Sequence, residues 1–164
     1  MTDAPAPSPR FRALDHVGYA VTDLDRSIAF YETLLGVPLL MRKTWDVPYL
    51  GDIVGYPGSA LEGAFFRLPN GVVLELLRYL RPGPGTVDME SYNAGNAHLC
   101  LVTDDMAADF ARIHAAGYDT FRSAEPVVIP WGPYKGGKAC YLRDPDGISI
   151  ELLEEPPGGP DWSA

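Results

Sequence analysis

Cysteine is scarce in this chain: Cys100 and Cys140 are the only two in 164 residues, too few for a disulfide framework. Both lie in apolar, strand-like runs, where a thiol is expected as a small buried hydrophobe. Positive charge is also short. Thirteen Lys and Arg stand against 22 Asp and Glu, a formal net charge of −9. Such a surface repels phosphate backbones and anionic lipid, which argues against nucleic acid and membrane partners. An anionic substrate then needs a local basic patch. No apolar run nears the roughly 18 residues of a membrane helix. CxxC, HExxH and a Gly-rich phosphate loop are all missing, so a zinc finger, a zincin and nucleotide chemistry are not indicated. The opening stretch MTDAPAPSP has neither a basic n-region nor an apolar h-region and is not a signal peptide. A cytoplasmic, reducing setting is expected.

What is present fits one α+β domain, long enough to fold without a disulfide or structural metal. Residues 1–10 are expected as a flexible lead-in, 11–153 as the domain and 154–164 as a tail. The alternation in Ala13–Val21 is that of a strand, with Leu14, His16, Gly18 and Ala20 on one face. Asp23 reads as an N-cap for a helix that buries Leu24, Ile28, Tyr31, Leu34 and Leu35 and stops at Gly36. Pro38–Lys43 is a short strand, and Trp45–Ala60 is expected as loop. Leu61–Leu68 and Val72–Tyr79 form a hairpin around Pro69-Asn70-Gly71, where Asn-Gly is expected to supply the positive φ angles of a tight turn.

After a linker at 80–95 the order recurs. Ala97–Val102 is a strand, and Asp104 caps a helix that stops at Gly117. Thr120–Ile129 holds one or two short strands. Lys138–Arg143 and Ile148–Leu153 form a hairpin around Pro145-Asp146-Gly147. Asp23 to Gly36 and Asp104 to Gly117 are each 13 residues, and PNGVVLELL aligns with PDGISIELL without a gap. The chain is therefore two βαβββ modules, about 11–79 and 96–153. Neither covers its own sheet, so the two are expected to pair into one domain.

The repeat places four polar residues at matched positions: His16 and His98 in the first strands, Glu75 and Glu151 in the last. Glu75 in VVLELL and Glu151 in ISIELL have only small or apolar neighbours, so both faces of each strand are expected to be covered. A carboxylate there is costly unless paired, protonated or metal-bound. One such residue is often structural; two at the same register, each with a matched His, point to a divalent first-row metal. Zn²⁺, Ni²⁺, Co²⁺, Mn²⁺ and Fe²⁺ all accept such donors. Arg67 and Arg143, matched before the two turns, could clamp an anion or solvate strand ends. Trp45, Tyr49, Trp131, Tyr134 and Lys135 lie in the corresponding loops, where aromatics line a pocket or simply pack. Lys138 is a further cation available to a basic mouth. His114, near a helix C-terminus, is expected at the surface.

The stretches LDHVGYAVTDLDRSIAFYETLLG, PNGVVLELL, NAHLCLVTDD and DPDGISIELLE resemble the vicinal oxygen chelate superfamily, which includes glyoxalase I, methylmalonyl-CoA epimerase and the extradiol dioxygenases. The resemblance spans about Ala13–Leu153. It implies paired βαβββ modules forming a curved mixed sheet around a metal cleft, with ligands at His16, Glu75, His98 and Glu151. For glyoxalase-like members it implies an isomerase, epimerase or lyase in which one divalent metal holds two substrate oxygens, with a carboxylate (here Glu75 or Glu151) as base. An extradiol-type dioxygenase with a two-His, one-carboxylate iron site is the second reading, weakened because Glu75 fills a position that chemistry leaves open. A metal-free drug-sequestering protein is the third; that class lacks the ligands. Arg67, Trp131, Tyr134 and Arg143 are the expected substrate contacts for a small molecule.

In this superfamily the two modules of a site belong to one chain or are exchanged between two. The 16-residue linker can span about 55 Å, and Pro82-Gly83-Pro84-Gly85 supplies a reversal. Each metal site is therefore expected within one chain, in a homodimer whose interface supplies no ligand.

Overall fold

Asp23 starts the first helix by accepting the Arg26 backbone N–H at 3.0 Å on its side chain, and Gly36 ends it in the left-handed region at φ 64°. Between them α1 (Leu24–Leu35) buries Leu24, Ser27, Phe30, Tyr31 and Leu34, the helical spacing of an apolar stripe. The computed structural model describes residues 10–163, so the expected lead-in lies outside the described residues up to Pro9. The first module is β1 (His16–Ala20), α1, β2 (Met41–Trp45), α2 (Pro48–Val54), β3 (Ala60–Arg67) and β4 (Val73–Arg81). The second is β5 (His98–Val102), α3 (Met106–Ala115), β6 (Val127–Val128), β7 (Lys138–Arg143) and β8 (Ser149–Glu154). Each forms a four-stranded mixed sheet, ordered β1-β4-β3-β2 and β5-β8-β7-β6. In both sheets the first strand runs parallel to the last.

Several elements depart from expectation. The segment read as loop contains α2, which opens on Pro48 and closes on left-handed Gly55; proline is pre-organised for a first helical turn. The cap of α3 is Asp105, not Asp104. Its side chain accepts the Ala108 N–H at 3.0 Å, which puts Met106 in the first turn, fully buried. Among the described residues no non-glycine residue has positive φ. In the two hairpin turns only Gly71 and Gly147 do, both at 87°, while Asn70 uses its side-chain oxygen to accept the Val72 N–H. The linker is tied down. Arg143 donates to the carbonyls of Met89 and Gly147 and faces Glu90. The tail folds back, with Asp161 N–H bonded to the Pro133 carbonyl and Trp162 edge-on to Tyr134.

The modules share one core, in which Phe30, Tyr31, Phe66 and Leu74 of the first pack with Met106, Ile113, Leu142 and Ile150 of the second. The joint is also polar. Asp144 is 3% exposed; it accepts the backbone N–H groups of Asp146 and Ile148 and, across the joint, the Tyr31 hydroxyl. Asp146 accepts the Thr22 N–H at 3.0 Å, the Thr22 hydroxyl and Arg26 at 2.8 Å. Arg112 of α3 donates to the carbonyls of Thr33 and Leu34, the unpaired last turn of α1. The helix-bearing faces of both sheets thus turn inward to this joint.

Candidate metal half-sites on the open faces

Strand alternation decides where the four matched residues go. In β1, Val17, Tyr19 and Val21 lie on the core side, so His16, Gly18 and Ala20 share the other face. In β4, Leu74 and Leu76 are core, which puts Glu75 outward. Gly18 is the register partner of Glu75, and a Cβ built on Gly18 would sit 3.0 Å from Glu75 Oε2. The missing side chain therefore gives the carboxylate room to lean toward His16, whose Nε2 lies 3.7 Å from Glu75 Oε2. The second module repeats the construction. Leu99 and Leu101 pack on the core, Cys100 is the register partner of Glu151, and His98 Nε2 lies 3.0 Å from Glu151 Oε2.

Each carboxylate is 19% exposed beside a half-exposed imidazole. The expectation that both strand faces are covered is thus corrected, because the second face is flanked by apolar groups but open. Two donors about 2.1 Å from an ion and a right angle apart are about 3.0 Å from each other, so an N,O pair at these spacings suits two adjacent positions on one metal. The four donors do not, however, meet in one chain. No group of three or more His, Cys, Asp or Glu among the described residues is placed to hold an ion. The structure brings the four residues together as two separate His–Glu pairs rather than as one cluster. The reason lies in the joint: the modules bury their helical faces against each other, so the ligand faces point away from the shared core.

The surroundings of the two halves differ. His16 Nδ1 lies 2.9 Å from Asp15 Oδ2, and this hydrogen bond, aided by nearby Glu75, raises the imidazole pKa despite some desolvation. His16, Asp15, Leu40, Met41, Phe65 and Val73 line a hollow of about 380 Å³. The Trp45 ring lies over Gly63, where an added Cβ would be 2.7 Å from it, and stands edge-on to Phe65 at 5.9 Å. In the second half the Tyr141 hydroxyl donates to Glu151 Oε2 at 2.9 Å and lies 3.3 Å from His98 Nε2. Burial, with Glu151 nearby, pushes the Cys100 thiol up to about 11 and raises the Tyr141 phenol, so both are protonated near neutral pH.

The expected substrate contacts scatter. Arg67 shares the face of Phe65, at the end of β3 and exposed. Trp131 is 79% exposed in its turn and Tyr134 packs on Trp162. Arg143 is part-buried and donates to the carbonyls of Met89 and Gly147 beside Glu90. Cys100 retains solvent access beside Glu151, although its thiol is partly desolvated, rather than being fully buried; Cys140 is buried as expected. The sequence reading missed Tyr141 and Phe65. Counting outward from each turn would have found them, because Tyr141 pairs with Glu151 and Phe65 with Glu75.

Known proteins share this sequence and fold. A lactoylglutathione lyase of Salmonella typhimurium is 36% identical over 149 residues, covering 88% of this chain and 93% of that protein. A probable chloroplastic lactoylglutathione lyase of Arabidopsis thaliana is 35% identical over 89% of this chain, which spans only 37% of that longer protein. The crystal structure of a glyoxalase family protein from Bacillus cereus superimposes with a TM-score of 0.76 at 24% identity, over 92% of this chain and 99% of that one. The sequence model of the Glyoxalase/Bleomycin resistance protein/Dioxygenase superfamily matches residues 13–152, and the chain belongs to that superfamily.

Proposed function

We propose that this chain is a divalent-metal-dependent lyase of the glyoxalase I type, and that a second copy completes its site. The observation that carries this reading is the pair of His–Glu half-sites, 3.7 and 3.0 Å between donor atoms, on the open faces of two matched sheets. Module 11–79 of one copy would face module 96–153 of the other, giving two sites of two nitrogens and two oxygens per symmetric dimer. The exposed surface favours such a partner. β1 and β5 are edge strands, whose unpaired backbone groups invite pairing. Leu40 and Met41 are exposed beside His16 in the first half-site.

His16, Glu75, His98 and Glu151 would hold the ion. A bound divalent ion would supply Lewis acidity toward two adjacent substrate oxygens. The rest falls to the chain. Glu75 and Glu151 would stand on opposite sides of the substrate, where a carboxylate removes the proton from one carbon and returns it to its neighbour. For the hemithioacetal of a 2-oxoaldehyde and a thiol, that transfer gives a 2-hydroxy thioester, the chemistry named in the lactoylglutathione lyases. One C–H bond breaks, another forms, and no oxidant is consumed. Phe65, Met41 and Leu40 offer an apolar wall for the aldehyde substituent. Lys43 and Arg67, on the same face, are the cations for an anionic thiol carrier.

The test is metal analysis of the purified protein followed by turnover of such hemithioacetals in deuterated water. One metal per chain and thioester formation, with solvent deuterium entering the carbon that bears the hydroxyl, are expected. Oxygen consumption coupled to catechol ring opening, with no thioester formed, would replace this reading with the dioxygenase one.

A further inference from the structure

We infer that Tyr141 is a positioning residue that makes the two half-sites unequal, preset in the second module and adaptable in the first. The inference rests on the metal-site reading above. The repeat supplies its own control, because the residue opposite Glu151 in the hairpin is Tyr141 and the residue opposite Glu75 is Phe65. The two rings occupy equivalent registers on the same face, and the main chemical difference is one hydroxyl. That hydroxyl lies 2.9 Å from Glu151 Oε2 and 3.3 Å from His98 Nε2, and those two atoms are 3.0 Å apart. The three atoms close a triangle. The Tyr141 ring also stands edge-on to the His98 imidazole, with centroids 5.3 Å apart. The Tyr141 hydroxyl thus holds the Glu151 carboxylate, and its ring packs against the His98 imidazole.

The first half-site has no such clamp. Among the described residues no hydrogen-bond donor other than the longer His16 contact approaches the Glu75 carboxylate, whose pair is 3.7 Å apart and whose neighbour Gly18 leaves space. Its one orienting partner among the described residues is Asp15, which holds His16 rather than Glu75 and is 95% exposed, so water competes for the bond. The geometry thus leaves the Glu151 carboxylate held by a hydroxyl donor and the Glu75 carboxylate without one. A group that orients a metal ligand is worth about 10- to 100-fold in metal affinity.

The experiment compares wild type with Tyr141→Phe, which gives the second half-site the same ring as the first. Co²⁺ is the probe, and its affinity is measured by chelator competition and its visible absorption recorded at saturation, with thermal unfolding as the control for folding. Wild type is expected to bind Co²⁺, and Tyr141→Phe to bind it about 10- to 100-fold more weakly with an altered absorption band and little change in Tm. Equal affinity and an identical band in both proteins would overturn the role of Tyr141 while leaving the metal site standing. Failure of wild type itself to bind Co²⁺ would instead overturn the metal-site reading, and this inference with it. Should Tyr141→Phe unfold, Phe65→Tyr is the second variant: a second hydroxyl is expected to tighten Co²⁺ binding at the first half-site, and a wild-type affinity would overturn the inference.

Discussion

Replacing Asp146 by Ala removes the acceptor that pins the second module's turn to the start of α1. Three donors converge on that carboxylate: the Thr22 N–H, the Thr22 hydroxyl and the Arg26 guanidinium. The Asp146 side chain is 11% exposed, whereas Arg26 is 47% exposed. A part-buried N–H left without its partner costs about 1–3 kcal/mol. The ion pair, half in solvent on the arginine side, adds at most about 1 kcal/mol. A loss of about 3 kcal/mol therefore corresponds to a fall in Tm of roughly 6–12 °C in a domain of this size. The assay is thermal unfolding, with urea titration to confirm that the slope is unchanged. Asn70 occupies the matched position in the first module, and its side-chain oxygen binds only its own turn, at Val72. Asn70→Ala should accordingly cost much less, about 1 kcal/mol. Equal, small shifts for the two variants would show that the cross-joint bonds contribute nothing, and the argument for a latched joint would fail.

Gly18→Ala places a methyl group 3.0 Å from Glu75 Oε2, so the carboxylate must shift from its place beside His16 by a few tenths of an ångström. Metal affinity should fall about tenfold with Tm nearly unchanged, because the displaced atom ends a flexible side chain; chelator competition checks the first and unfolding the second. Burial holds the Asp144 carboxyl above its ordinary pKa in the folded state, against the pull of its backbone hydrogen bonds. Its contribution to stability is therefore full below the unfolded value of 3.8 and is lost as pH rises through the folded pKa. Asp144→Asn removes that dependence, so its stability relative to wild type should be higher at pH 7 than at pH 3.5 in paired urea titrations; the opposite trend would contradict the assignment.

Much of this was legible in the sequence because it depends on local rules. Asp23 and Gly36 bound α1 as any N-cap and left-handed C-cap would. The gapless match of PNGVVLELL to PDGISIELL made the shared hairpin register of the two modules legible. Misses came where long-range packing decides. The α2 segment has Gly and aromatics spaced like a loop, yet Gly51 is buried against the backbone of residues 56–58, an approach that only a glycine permits. Linker length shows that the modules can reach each other but not which faces they bury. The unsatisfied α1 carbonyls that Arg112 fills and the Tyr31–Asp144 and Thr22–Asp146 contacts decided that, and they turned the ligand faces apart. Arg143 reads from its position as a free cation; only the folded linker shows its partners Met89 and Glu90.

The central claim is that His16 and Glu75 of one copy work with His98 and Glu151 of another. Co-refolding His16→Ala with Glu151→Ala, each inactive alone, tests it directly. In a mixed dimer one site carries both lesions and the other carries none. Random assortment makes half the dimers mixed, so about a quarter of the wild-type lyase rate should return, with one of the two sites in each mixed dimer intact. No recovery from a verified mixed dimer would mean that all four ligands of a site come from one chain, and the shared-site account would be wrong.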